Sequence, residues 1–152
     1  MKTSVLLSTL FLAALAHGQD NETKVQFKDL PPAVQKAVKQ QERNGAAVRG
    51  YSKEIENGKT FYEAETRVNG KNRDILMDES GAIVEVEQQV EIGSVPPAPM
   101  KGLRREAAGA KILQVESVTR GDKVSYEAVI ERNGNKKEIS VHADGSAVHE
   151  QG

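Results

Sequence analysis

The segment YEAETRVNGKNRDILMDESGAIVEVEQ, residues 62 to 88, returns as YEAVIERNGNKKEISVHADGSAVHEQ at residues 126 to 151. An offset of 64 aligns Tyr62-Glu63-Ala64 with Tyr126-Glu127-Ala128 and Asn69-Gly70 with Asn133-Gly134. It also aligns Ile75 and Met77 with Ile139 and Val141, Gly81 with Gly145, and Val84 with Val148. Upstream, an offset of 65 aligns Leu30-Pro31-Pro32 with Val95-Pro96-Pro97, and Val38 with Leu103; one deletion near Gly109 reconciles the two. Matching punctuation over this length points to a duplicated supersecondary unit.

Each copy predicts a helix followed by four strands. Residues 29 to 41, DLPPAVQKAVKQQ, carry Asp29 as a candidate N-cap and prolines that a first helical turn tolerates. Leu30, Val34, Ala37, Val38 and Gln41 form a helical stripe. In the counterpart, SVPPAPMKGLRREAA at 94 to 108, Pro99 and Gly102 shorten or distort the helix, which is expected from about Pro97 or later to Ala108. Asn57-Gly58, Asn69-Gly70 and Ser80-Gly81 punctuate the first set of strands, and Gly121-Asp122, Asn133-Gly134 and Asp144-Gly145 the second. Such pairs supply the positive φ of tight hairpins, so neighbouring strands pair antiparallel as a meander. Gly50, inside the first strand, marks a bulge or a close approach.

The register follows from the turns. Two-residue turns at Asn69-Gly70 and Ser80-Gly81 set Tyr62 opposite Met77, Ala64 opposite Ile75, Met77 opposite Val84 and Ile75 opposite Val86. The second copy sets Tyr126 opposite Val141, Ala128 opposite Ile139 and Val141 opposite Val148. These residues fall on one face of a period-two strand, and the preceding helix must cover it. The predicted fold is α+β: two tandem repeats, each a helix packed on a four-stranded antiparallel meander sheet, at residues 25–90 and 94–151.

Residues 1–18 read as a secretory signal peptide: Met1-Lys2, an apolar run from Val5 to Ala16, and small residues at Ala14, Ala16 and Gly18. Export to the periplasm or beyond is expected, with cleavage after Ala16 or Gly18. The apolar run is shorter than the roughly 20 residues a membrane helix needs, and no later segment is more apolar, so no membrane insertion is expected after cleavage. Formal charge is −1, which argues against nucleic acid as a partner. With no Cys there is no disulfide, thiol chemistry or cysteine zinc site.

The order of an LPxxVxxAV-type helix at Leu30, then YEAE, NGK, a DxxG turn and IVEVE, resembles the PepSY-like family, also described as β-lactamase-inhibitor-like periplasmic domains. The resemblance implies exported proteins of two αββββ units that bind or inhibit other proteins with the open sheet face. It carries no catalytic set.

On that open face the register places Glu63 beside Leu76 beside Glu85, and Glu65 beside Asp74 beside Glu87. Phe61, Arg67 and Asp78 share it. The second copy contributes a row of Glu116, Glu127, Ser140 and His149, with Val129 opposite Glu138 and with Val118 and His142 alongside. A solvated sheet face is ordinarily charged, which accounts for these acids without a ligand. Like charges directly opposite are destabilising, however, and apolar side chains among them suit an interface for a protein partner with a basic surface. The candidate partner-binding residues are Phe61, Glu63, Glu65, Asp74, Leu76, Glu85, Glu87, Glu127, Val129 and Glu138. His142 and His149, diagonal across the last hairpin, are weak candidate metal ligands that lack a clear third, and exposed polar residues on a terminal hairpin explain them better. A periplasmic cation- or small-ligand-binding role is the alternative. No GxSxG, HExxH or phosphate loop occurs, so neither enzyme activity nor a cofactor is expected.

Overall fold

The computed structural model describes residues 22–148. The signal segment 1–18 and His149 lie outside the described residues.

Among the described residues, eight strands form one antiparallel sheet in strict sequence order, β1 to β8. They are β1 (Thr23–Lys24), β2 (Ala47–Glu56), β3 (Lys59–Val68), β4 (Lys71–Asp78), β5 (Ile83–Val90), β6 (Lys111–Arg120), β7 (Lys123–Arg132) and β8 (Asn135–His142). Helix α1 (Pro32–Arg43) lies between β1 and β2, and α2 (Pro97–Ala107) between β5 and β6. The two predicted sheets are therefore continuous: β5 pairs with β6 from Val86↔Thr119 to Val90↔Val115.

The hairpins follow the turn chemistry. Asn57, Asn69 and Asn133 take φ of 48°, 51° and 52°, each followed by a positive-φ glycine. The predicted pairs Tyr62↔Met77, Ala64↔Ile75, Tyr126↔Val141 and Ala128↔Ile139 all form. Gly50 marks a register shift after Val48, as expected of a bulge.

Four expectations need correction. The loop at Ser80-Gly81 is wider than two residues. Asp78 Oδ1 accepts from the Ser80 and Ala82 N–H groups at 2.9 and 3.1 Å, and the Asp78 N–H donates to Ala82 O. Met77 consequently faces Ile83, not Val84, with a register shift before Leu76↔Glu85. In the second half, the described part of the fourth strand is one bridge, Val141↔Ala147, in place of Val141 with Val148. Asp29 is not the N-cap of α1. It ends a 3-10 turn, where its carboxylate accepts from the Gln26 N–H, and α1 starts at Pro32 behind Pro31.

Helix α2 is not distorted by Pro99 or Gly102. Pro99 sits in the first turn, where the missing N–H is one no intrahelical carbonyl would accept. Gly102 is a contact point: a Cβ there would collide with the carbonyl of Gly145, and a Cβ on Gly145 with the carbonyl of Ala98. Arg105 Nη2 donates to Gly145 O at 3.0 Å, fastening the helix to that turn. Arg132 Nη2 donates to Ala107 O at 3.1 Å and to Ala108 O, satisfying carbonyls at the helix end.

Both helices cover the same face of the sheet. Leu30, Val34 and Val38 close over Tyr62, Ala64, Ile75 and Met77. Val95, Met100, Leu103 and Ala107 close over Val115, Ala128, Ile130 and Val141. Strand alternation sends the intervening side chains to the other face, which carries no helix among the described residues.

Candidate functional site

The helix-free face is read most directly as rows across the strands. One row runs Ser52–Glu63–Leu76–Glu85 from β2 to β5. The next runs Gly50–Glu65–Asp74–Glu87–Val118–Ser125–His142 from β2 to β8. A third runs Gln89–Glu116–Glu127–Ser140 from β5 to β8, and a fourth Gln114–Val129–Glu138. Phe61 lies between Glu54 and Asp78 at one end of the face.

All ten predicted partner-binding residues thus share one face. They do not form one spot. Phe61 and the Val129–Glu138 pair stand near opposite limits, and the carboxyls between them form a diagonal track. Each strand from β4 to β8 contributes one: Asp74, Glu87, Glu116, Glu127 and Glu138. Glu63 and Glu65 of β3 extend it. His142 is exposed, one row from Glu127. Among the described residues, no group of three or more His, Asp or Glu is arranged to hold a metal ion.

These acids are more crowded than a solvated face predicts. Relative exposure is 6% for Glu63 and Asp74, 4% for Glu85 and 9% for Glu87. Leu76 and Val118 are buried among them. Burial penalises the ionised form, and neighbouring carboxylates add to it. Glu87 is pushed up to about 9, first by burial and then by the charges of Glu127 and Glu116. Glu63 rises to about 8, mainly by burial and then by Asp74, against a 3.0 Å hydrogen bond from Ser52 Oγ. Asp74 rises to about 6, with burial outweighing the Thr66 N–H that its Oδ1 accepts at 3.2 Å. Glu116 rises to about 7 by burial and by Asp74, against a 2.9 Å hydrogen bond from Gln114 Nε2. Glu138 rises to about 9 through burial and a hydrogen bond shared with Glu127.

Cations of this face stand at its margins. Lys24, Lys59, Arg67 and Lys136 lie near strand ends, and Arg67 Nε is turned to Asn72 Oδ1 at 3.3 Å. Arg120, at the end of β6, pairs with Glu85 Oε2. Sequence reasoning missed Arg120, Ser52 and Glu54. Alternation through β2 could have placed the last two once the bulge at Gly50 fixed its register. Nothing in the sequence announced Arg120, because the β5–β6 pairing that brings it to Glu85 crosses α2.

Similarity to solved structures covers most of the chain. A BLIP-like protein from Bacteroides fragilis superposes with a TM-score of 0.57 at 20% identity, over 80% of this chain and 86% of that one. The chain shares this fold. A Bacteroides eggerthii protein described provisionally as periplasmic gives 0.62 at 17% identity, over 80% and 88%. A DUF2874 family protein from Bacteroides ovatus gives 0.61 at 16%, over 80% and 86%. No protein-family model matches the sequence, and no curated protein does. Among the described residues, no helix is long and apolar enough to cross a membrane.

Proposed function

We propose that this is an exported, non-catalytic binding module that takes a protein partner with a basic surface onto the helix-free sheet face, with inhibition of that partner as one outcome. The carrying observation is the diagonal carboxyl track, with Leu76 and Val118 buried beside it and the face's own cations at its edges. A cationic partner removes the cost of facing acids, and the half-buried Phe61 and Val129 offer apolar anchors. The fold shared with a BLIP-like protein, the provisional periplasmic description of a second neighbour and the signal-like residues 1–18 are consistent with this reading.

On the same reading the sheet descends from two PepSY-like copies, 25–90 and 94–151, joined edge to edge. Gly81 and Gly145 support the equivalence. Each is a positive-φ turn glycine against the first turn of its helix, with a Cβ on Gly81 falling 2.6 Å from Ala33 O. The test of function is capture from an envelope extract of the source organism. A specific partner is retained by the wild-type protein, released by salt, and lost in the Phe61→Ala/Leu76→Ala double variant. Equal capture by both proteins refutes the assignment of the face.

A further inference from the structure

Resting on that reading, we propose that Glu87 is the seat for one guanidinium side chain inserted by the partner protein. Glu85 and Glu87 are two residues apart on β5 and point to the same face. Glu85 already receives a guanidinium, that of Arg120. Glu87, nine-tenths buried, has no hydrogen-bond or ion-pair partner among the described residues, and Oε1 of Glu85 is also unpaired. The cation nearest to it in register, Arg120 two residues along β6 from Val118, is the one already paired with Glu85. β4 presents Asp74, β6 presents Val118 with Glu116 on the diagonal, and Glu63 of β3 and Glu127 of β7 complete the surroundings. Among the described residues no second cation stands beside Glu87, and we assign that place to the partner.

Arginine fits better than lysine. A buried carboxyl costs free energy unless it is hydrogen-bonded and paired. A guanidinium is weakly hydrated and carries five donors in a planar fork, so one side chain can serve Glu87 and a diagonal neighbour such as Glu116 together. An ammonium is strongly hydrated and acts as a point charge. Raised to about 9, Glu87 holds its proton at neutral pH in the free protein. The arriving cation restores ionisation, and that proton passes to solvent.

The experiment is calorimetric titration of the purified protein at pH 7.5 with a capped tetra-arginine peptide, repeated in two buffers of different ionisation enthalpy. Capped tetra-lysine and spermine serve as comparison probes. Glu87→Gln keeps the shape of the protonated acid, and Glu79→Gln alters an exposed turn. Charge-assisted hydrogen bonds contribute about 1.5–3 kcal/mol, equivalent to about 10- to 100-fold in affinity. Expected results are tetra-arginine binding weakened at least about tenfold by Glu87→Gln, release of close to one proton lost in the same variant, and no change in Glu79→Gln. Circular dichroism and the urea midpoint confirm that Glu87→Gln is folded. Tetra-arginine affinity and proton release indifferent to Glu87→Gln overturn the inference, as does equal affinity for tetra-lysine or spermine. If native-partner capture is still lost in Phe61→Ala/Leu76→Ala, the binding-face reading survives that failure. If capture is unchanged there too, both fall.

Discussion

Replacing Glu87 by Gln should stabilise the protein, and the gain should grow with pH. In the unfolded chain this carboxyl titrates near 4.5, whereas in the fold it is pushed up to about 9. Below pH 4.5 both states hold the proton and no penalty exists. Between the two values the folded state binds a proton that the unfolded state has released. Each pH unit in that window then favours unfolding by about 1.4 kcal/mol. Neutral pH lies about 2.5 units into the window, so the full penalty there is about 3 kcal/mol. Gln has the same shape and nothing to ionise. The expected gain is less than about 1 kcal/mol at pH 5 and between about 1 and about 3 kcal/mol at pH 7. With a urea slope of about 1.5 kcal/mol per molar, the midpoint should rise by about 1–2 M at pH 7. Glu63, Asp74, Glu116 and Glu138 are shifted in the same direction, so wild-type stability itself should decline from pH 5 to pH 9. Urea titrations at pH 5, 7 and 8.5 measure both. A constant difference between the two proteins, or wild-type stability rising across that range, would refute the reasoning.

Leu103→Ala removes a fully buried side chain beneath α2 and should cost about 2–5 kcal/mol in urea unfolding. Gly102→Ala drives a methyl group into the Gly145 carbonyl and should cost at least about 2 kcal/mol despite better helix propensity, whereas Ala at exposed Gly93, where no atom lies within 4 Å of the added Cβ, should change little. Asp78→Ala removes the acceptor for two loop N–H groups and should lower the melting temperature, an effect absent in Asp78→Asn if the hydrogen bonds alone matter. Asp78 is held below its ordinary value, so its contribution is present at neutral pH and is lost only as pH falls through the acid range.

Residues whose conformation is set by neighbours in sequence were legible. Asn-Gly pairs fixed three hairpins because positive φ at both positions is a local property, and period-two alternation then sorted Tyr62, Ala64, Ile75 and Met77 from Glu63, Glu65 and Asp74. Features decided by distant contacts were not. Ser80-Gly81 reads as a two-residue turn until Asp78 turns its carboxylate onto the loop, which moves Ile83 opposite Met77. Gly102 reads as a helix breaker until the Gly145 turn, 43 positions on, is seen lying against it. Alternation shows that Glu87 leaves the helix side. It cannot show how tightly Asp74 and Val118 crowd that carboxyl, because the crowding depends on β5 meeting β6 across α2.

That β5–β6 seam has a consequence for dissection. Asp74 and Glu87 belong to the half of the chain before α2, and Glu116, Glu127 and Glu138 to the half after it. Each half by itself contains a helix and its own hairpins yet only part of the acidic line. On the proposed reading, recognition is a property of the join.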